Sequence, residues 1–179
     1  GDELSYARPV GDLDGDGVSD VLLSYGYESP VQIVAGPLAE SGTEVILEVE
    51  SARDELTCST YCDAAYGDVD GDRHDDLLFV ADDNGTDREL LVAYGPFPHG
   101  TSATHFADLA ESRITDDGSG PPAVLWDLDD DGVGEILSSN GRIYDGVLPG
   151  TIDPGPVGYV PGVDREVGLA RRGTSPVVV

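Results

Sequence analysis

Short apolar runs alternate with turn-forming segments along the whole chain. Runs rich in Val, Ile and Leu lie at Val31–Gly36, Glu44–Val49 and Leu90–Gly95, and the second alternates with the period of two expected of a strand. A helical turn is weakly indicated only over Ala107–Ile114. Gly and Pro together make up about a fifth of the residues, well above average usage. Short apolar runs separated by many turns predict an all-β protein.

One segment recurs three times. It reads GDLDGDGVSDVLLS at 11–24, GDVDGDRHDDLLFV at 67–80 and WDLDDDGVGEILSS at 126–139. The first aspartates of the three copies, Asp12, Asp68 and Asp127, are 56 and 59 residues apart. This period is long for a helical repeat and fits a unit of about four strands, as in a propeller blade.

Each unit has the same order of parts. An apolar approach run leads into an acidic loop, a strand leaves the loop directly, and a second apolar run closes on a Gly. The approach runs are Tyr6–Val10, Ala64–Tyr66 and Ala123–Trp126, and the strands after the loops are Asp20–Ser24, Asp76–Val80 and Glu135–Ser138. The order predicts antiparallel strands on both sides of every loop.

The chain is predicted to be a single repeat domain, 1–179. Approximate blades are 1–55, 56–113 and 114–165, with 166–179 as the start of a further blade or a closing strand. The last residues, SPVVV, resemble the approach runs. Known propeller rings have roughly four to eight blades. We therefore expect a partial propeller, completed within a larger protein or by self-association.

The charge of the chain excludes several classes of partner. There are 36 Asp and Glu against 9 basic residues, all of them Arg, for a net charge of −27. Such a chain repels phosphate backbones and anionic membrane surfaces, so we expect no nucleic acid. No apolar run approaches the ~18–20 residues of a membrane span, so we expect no membrane insertion. The absence of Met predicts a processed or excised form.

Each acidic loop carries acids at positions 1, 3, 5 and 9. Alternate acids on a tightly curled loop project inward and repel one another, at a few kcal/mol per pair at ~4 Å. A bound dication removes this repulsion, and hard oxygen ligands at this density favour Ca²⁺. By analogy with the EF-hand, position 7 adds its backbone carbonyl. The predicted ligands, for about three Ca²⁺ ions, are Asp12, Asp14, Asp16, Val18 and Asp20; Asp68, Asp70, Asp72, His74 and Asp76; and Asp127, Asp129, Asp131, Val133 and Glu135.

The loops are not EF-hands, because position 12 is no ligand and a strand follows instead of a helix. Position 6 needs a sharp turn, which Gly17 and Gly132 supply and Arg73 does not. The first loop should therefore bind best. The simpler interpretation is that the loops are solvated acidic turns or Asx-turns. Three loops with acids at the same positions favour the metal-site interpretation over this simpler one.

At these loops the sequence resembles the FG-GAP repeats of integrin α-subunit propellers and of many bacterial secreted proteins. Tyr66-Gly67 stands where the Phe-Gly would be, and Gly36-Pro37 and Gly95-Pro96 match the end of the family's later strand. The resemblance implies a β-propeller of four-stranded blades with Ca²⁺ in the blade loops. The chain departs from it in blade count, since integrin-type propellers have seven, and in lacking a clean Gly-Ala-Pro after the loop strand.

Other residue types leave alternatives open. Cys58 and Cys62 form a small-loop disulfide, a metal pair or two free thiols. The Trp126 side chain either packs in the core or provides a flat surface for a bound sugar. The three His are scattered, and no nucleophile elbow or zinc-protease motif occurs, so no catalytic residue is predicted. Four tyrosines near turns can form an exposed binding face: Tyr25, Tyr27, Tyr94 and Tyr159.

The sequence thus predicts a secreted or surface-exposed Ca²⁺-binding propeller module, not an enzyme, with structural ions. By family resemblance its role is adhesion or binding of a protein or carbohydrate ligand. The alternative is a non-catalytic propeller segment of a larger secreted polysaccharide-acting enzyme. A third interpretation is an acidic surface adapted to high salt.

Overall fold

The computed structural model describes residues 4, 6–25, 30–37, 44–49, 64–83, 87–116, 123–124, 127–160, 170–172 and 175–177. The predictions that concern Tyr27, Cys58, Cys62 and Trp126 lie outside these residues. No helix in these ranges has the length and apolar character needed to cross a membrane.

The first unit is an antiparallel meander of four short strands. They are β1 (Tyr6–Pro9), β2 (Val21–Ser24), β3 (Val31–Val34) and β4 (Val45–Val49). In register, Leu22 lies opposite Ile33, which lies opposite Leu47, and all three are buried. The alternation in the sequence thus places one apolar row on one face of the sheet.

The second unit repeats this arrangement with longer strands. It begins with β5 (Ala64–Gly67), β6 (Asp76–Asp83) and β7 (Asp87–Ala93). A short strand, β8 (Thr101–Ala103), and a 3-10 turn at Phe106–Asp108 precede the last strand, β9 (Ser112–Asp116). The prediction of a helical turn over Ala107–Ile114 is wrong over most of its length. Ser112 and Ile114 belong to β9 instead, and they pair with β7 as the outer strand of the second sheet.

The third unit has the shortest strands. They are β10 (Ala123–Val124), β11 (Ile136–Leu137), β12 (Arg142–Tyr144) and β13 (Gly158–Tyr159), again antiparallel. A final hairpin joins β14 (Ala170–Arg172) to β15 (Ser175–Val177). This hairpin falls in the segment predicted as a further blade or a closing strand, and it is a two-stranded sheet of its own.

The second sheet is buried on both faces, because the first and third units pack against it. Leu77 and Phe79 of β6 belong to a cluster that includes Leu22 and Ile33 of the first unit. The residues between and after them, Leu78 and Val80, belong to a second cluster with residues of the third unit. Such strands read as continuous apolar runs rather than as alternating ones, as the sequence LLFV does.

A segment of each later unit also pairs with the outer strand of the unit before it. β8 runs parallel to β4 and becomes a fifth strand of the first sheet. Likewise, the amide of Arg113 in β9 donates to Thr151 O at 3.0 Å, and the amide of Asp153 donates to Arg113 O at 2.8 Å. The two contacts are equivalent, so neighbouring units are joined by backbone hydrogen bonds as well as by apolar packing.

The all-β prediction is confirmed, and so is the assembly of antiparallel sheets of about four strands. The sheets do not close on one another in the part of the chain that the structure describes. The ring of a propeller therefore remains a proposal.

Candidate metal centre

The three acidic loops connect equivalent strands. The first loop, Asp12–Asp20, joins β1 to β2; the second, Asp68–Asp76, joins β5 to β6; and the third, Asp127–Glu135, joins β10 to β11. Each spans a hairpin whose strands are paired immediately outside it. Positions 1 to 9 below count along these loops.

The acid at position 1 accepts hydrogen bonds from the backbone of its own loop. The two carboxylate oxygens of Asp12 accept the amides of Gly15 at 2.9 Å and of Gly17 at 2.8 Å. Asp68 accepts from the equivalent residues Gly71 and Arg73, and Asp127 accepts from Asp131, one position later than Gly15, and from Gly132. The carboxylate therefore lies at the centre of the curled loop.

The acids at positions 3 and 5 each accept the amide two residues further on, which is the geometry of an Asx-turn. Asp14 accepts from Asp16 at 3.0 Å, and Asp16 accepts from Val18 at 2.7 Å. The same turns recur at Asp70, Asp72, Asp129 and Asp131. The Asx-turn interpretation of the sequence is thus correct as local geometry, and it leaves the second oxygen of these side chains for another partner.

The acid at position 9 is buried and ties the loop to the next strand. Asp20 is fully buried, and its two oxygens accept the amides of Leu13 at 2.7 Å and of Gly36 at 3.0 Å. Asp76 accepts from Val69 and Gly95 in the same way, and Glu135 accepts from Leu128. Position 9 therefore bonds to the amide of position 2 in each loop, and in the first two units also to the end of the third strand.

Positions 1, 3 and 9 converge in every loop. The groups, each with three carboxylate oxygens within 4.8 Å of one another, are Asp12, Asp14 and Asp20; Asp68, Asp70 and Asp76; and Asp127, Asp129 and Glu135. Two ligands of one Ca²⁺ ion lie at most about 5 Å apart, twice the Ca–O distance of ~2.3–2.6 Å. The three sets of carboxylates thus fit a metal ion.

Burial makes these carboxylates hard to ionise without a cation. Removal from water raises the pKa of Asp76 to about 7, against the hydrogen bonds from Val69 and Gly95, which lower it. Burial also raises the pKa of Asp20, Asp70 and Glu135, and neighbouring loop acids add to the rise in each. A group that burial and like charges both disfavour in its charged form is stabilised by a nearby dication.

The loop backbones have the same conformation despite different residues. Position 6 has a positive φ in all three loops, 88° at Gly17, 76° at Arg73 and 93° at Gly132. Position 4 does too, and there Asp130 has a φ of 64° where the other loops have Gly. Arg73 therefore adopts the turn for which the sequence offered no Gly, at the cost of backbone strain.

One acid of the third unit was not predicted. Asp145 lies with Asp129 and Asp131 in a further group of carboxylates within 4.8 Å. Its Oδ1 is buried and has no hydrogen-bond partner among the described residues, and its pKa is raised, by desolvation first and by three loop acids next. The signal was available in the sequence, because Asp145-Gly146 stands where the other units have Ala35-Gly36 and Tyr94-Gly95.

His99 connects the first loop to the second unit. Its Nε2 lies 2.7 Å from Asp14 Oδ2, and its Nδ1 lies 2.8 Å from Glu44 Oε1. Hydrogen bonds to Glu44 and Asp14 raise the pKa of the His99 ring. His99 therefore supports the loop at the unit boundary, a role that its isolated place in the sequence did not indicate.

The predicted tyrosine face is wrong for Tyr94. Its hydroxyl is partly buried, donates to Val147 O at 2.6 Å and lies 2.8 Å from Ser112 Oγ, so it joins the second unit to the third. Tyr159 is 62% exposed, and Tyr25 is half-buried. The ligand roles predicted for positions 5 and 7 stay predictions, since these residues lie outside the three groups of converging oxygens, Asp131 joining only the group around Asp145.

No family model matches the chain, and no curated protein matches it. The resemblance to FG-GAP repeats therefore rests on the quoted residues alone.

Proposed function

We propose that this chain is an extracellular Ca²⁺-binding β-repeat module in which each acidic loop holds one structural calcium ion. The observation that carries the proposal is the convergence of three carboxylates at positions 1, 3 and 9 in all three loops. A single acidic turn is commonplace on protein surfaces. Three loops with closely similar hydrogen bonds and the same converging positions favour a common ligand.

The donor set favours Ca²⁺ over other cations. All of the converging ligand atoms are carboxylate oxygens, which suit Ca²⁺ and Mg²⁺ and not the metals that prefer nitrogen or sulfur. Ca²⁺ takes 6–8 oxygens in flexible geometry, whereas Mg²⁺ demands a near-ideal octahedron. The exposed position-5 acid and the position-7 carbonyl, with water, supply the remaining ligands in this proposal.

The role of the ions is structural. Position 9 is bonded to the end of the third strand of its unit through Gly36 or Gly95, so an ion at this carboxylate stabilises both strands that it joins. Since the acids repel one another in the folded loop more than in the unfolded chain, binding energy becomes folding energy. The proposal assigns binding and not catalysis to these acids, because their oxygens are engaged by backbone amides.

The stacking of the units supports a β-propeller. The position-2 residues Leu13 and Val69 are completely buried, whereas the equivalent Leu128 of the third unit is 42% exposed. Val18 at position 7 of the first loop is likewise exposed, while the equivalent Val133 packs near Gly71. The third unit therefore exposes the position-2 side of the contact that joins neighbouring units, and the first unit exposes the position-7 side. Further units of the same kind, in a longer chain or a second copy, complete the ring in this proposal.

Adhesion or ligand display outside the cell is the wider role that we propose. The net charge of −27 leaves room for three dications, which bring it to about −21. It also disfavours anionic partners. Calcium at millimolar concentration outside cells suits loops of modest affinity.

The test is thermal unfolding with Ca²⁺, with Mg²⁺ and with a chelator. A site filled at about 100 times its dissociation constant contributes about 2.7 kcal/mol, and about 1 kcal/mol shifts the Tm of a chain of this size by about 2–4 °C. With three sites we expect Ca²⁺ to raise the Tm by roughly 15 °C or more, and Mg²⁺ by much less. An equal Tm in Ca²⁺ and chelator would exclude the proposal.

A further inference from the structure

Position 8 of each loop lies at the boundary with the preceding unit, and the two boundaries differ there. At the first boundary, the amide of Asp75 approaches Asp12 O at 3.4 Å, and the Asp75 carboxylate accepts the amide of Asp12 at 2.8 Å. At the second boundary, the amide of Gly134 donates to Asp68 O at 2.9 Å. The backbone of position 8 thus has the same place in both, but Gly134 has no carboxylate to offer.

The amide of Asp68 is consequently left with no acceptor among the described residues. It is the equivalent of the Asp12 amide, which the Asp75 carboxylate satisfies. At the place where the Asp75 carboxylate lies at the first boundary, the Asp68 amide is thus a hydrogen-bond donor that a bound ligand can use.

A cavity of about 670 Å³ lies at this boundary. Its lining includes Gly134, Asp68 and Asp127 of the second boundary, Asp75 and Gly11 of the first, and Tyr66. The Tyr66 side chain is 41% exposed and lies against Gly11, where a Cβ would be 2.7 Å from the ring. The volume lies within the ~300–1,000 Å³ typical of ligand pockets.

We propose that this cavity binds a neutral saccharide, with a sugar hydroxyl at the place that an Asp75-like carboxylate would fill. The site offers an N–H donor at Asp68 and a carboxylate acceptor at Asp75. A hydroxyl both donates and accepts, so a sugar satisfies both groups. An ammonium or guanidinium has no acceptor for the amide, and an anion is repelled by the carboxylates. The exposed face of Tyr66 offers the apolar contact for the ring.

The inference rests on the ligand-binding part of the proposed function and not on calcium. Its test is calorimetric titration of the Ca²⁺-saturated chain with maltose, lactose and cellobiose, with argininamide as the cationic probe and glucuronate as the anionic one. We expect at least one neutral disaccharide to bind with a dissociation constant on the order of 1 mM, and neither charged probe to bind.

The matched variant is Gly134→Asp, which supplies at the second boundary the side chain that Asp75 supplies at the first. We expect it to fill the recess and to weaken sugar binding by at least about tenfold, which is a change of about 1.4 kcal/mol. Tyr66→Ala should weaken binding as well. Tyr159→Ala, at an exposed tyrosine that does not line the cavity, should leave it unchanged.

The melting temperature in Ca²⁺ is measured for every variant, so that loss of sugar binding in a folded chain is distinguished from unfolding. Failure of the calcium proposal would appear in the chelator experiment, whereas failure of this inference appears only in the sugar titration. Absence of binding up to about 10 mM sugar, unchanged binding by Gly134→Asp, or binding of argininamide instead would each overturn it.

Discussion

Single residues at the loop positions show how strictly the local geometry is imposed. Arg73 and Asp130 have φ values of 76° and 64°, a region that residues with a Cβ rarely adopt. The amide of Arg73 donates to the position-1 carboxylate as Gly17 does, whereas in the third loop the amide of Asp131 donates in place of that of Asp130. The carboxylate network therefore outweighs a strain of about 1–2 kcal/mol per residue.

The third loop provides a test at the scale of single residues. Glu135→Gln removes a charge from the converging group, while Asp130→Asn removes the same charge from an exposed acid outside it. We expect calorimetry to show Ca²⁺ affinity at one site falling more than about tenfold in Glu135→Gln, and to show only a small change in Asp130→Asn. Equal losses in the two variants would mean that net charge, and not ligation, governs binding.

At the scale of elements, each acidic loop after the first connects two strands of its own unit and also contacts the unit before it. Gly71 of the second loop lies against the third, where a Cβ would be 3.0 Å from Val133 Cγ2 and 3.3 Å from Gly132 O. Gly36 and Gly95 allow no Cβ either, since it would lie 2.4 and 2.5 Å from backbone oxygens of the loops. The Gly-Pro dipeptides therefore mark where a third strand ends against its own loop.

Alanine substitutions at two glycines distinguish the energetic cost of packing between units from the cost of backbone strain. Gly71 and Gly132 have similar φ values, 85° and 93°, but a Cβ on Gly132 meets nothing within 4 Å. Either substitution by Ala should cost about 1–2 kcal/mol for the positive φ, and Gly71→Ala about 1–3 kcal/mol more for overpacking. Urea unfolding in saturating Ca²⁺ measures the difference. Equal losses would show that the loops do not pack against each other in solution.

At the scale of the whole molecule, the acid excess is divided between the loops and the remaining surface. The twelve acids predicted as ligands are one third of the 36 in the chain, and the one at position 9 of each loop is buried. Burial, and not the composition, is the main cause that raises the pKa of these groups. The stability of the stack should thus depend on both pH and calcium.

The pH dependence of the metal-free chain follows from these groups. Asp76 has a pKa of about 7 in the folded chain against an ordinary value of 3.8. Between these values the folded state holds a proton that the unfolded state has lost, so stability falls as pH rises from about 4 to 7. In chelator we expect a higher Tm at pH 5 than at pH 7.5, and in Ca²⁺ the reverse. Asp76→Asn should flatten the metal-free profile; an unchanged profile would contradict the assignment to Asp76.

Much of the local structure follows from the sequence because it depends on short-range patterns. The repeated acidic segment determines the loops, their Asx-turns and the strands on both sides, since the contacts lie within nine residues. The apolar run of β6 likewise predicts a strand. These features need only alternation, turn chemistry and spacing, all of which are visible in one unit.

Only the tertiary structure decided how the units meet, because those contacts join residues far apart along the chain. It assigned Tyr94 to the boundary between units, replaced most of a predicted helical turn with β9, and brought Asp145 beside the third loop. It also showed that β8 joins the preceding sheet, and that Asp75 and Gly134 make the two boundaries unequal. The spacing within a unit is local and can be read from the residues. The partner of each exposed edge depends on the packing of whole sheets, which no single segment encodes.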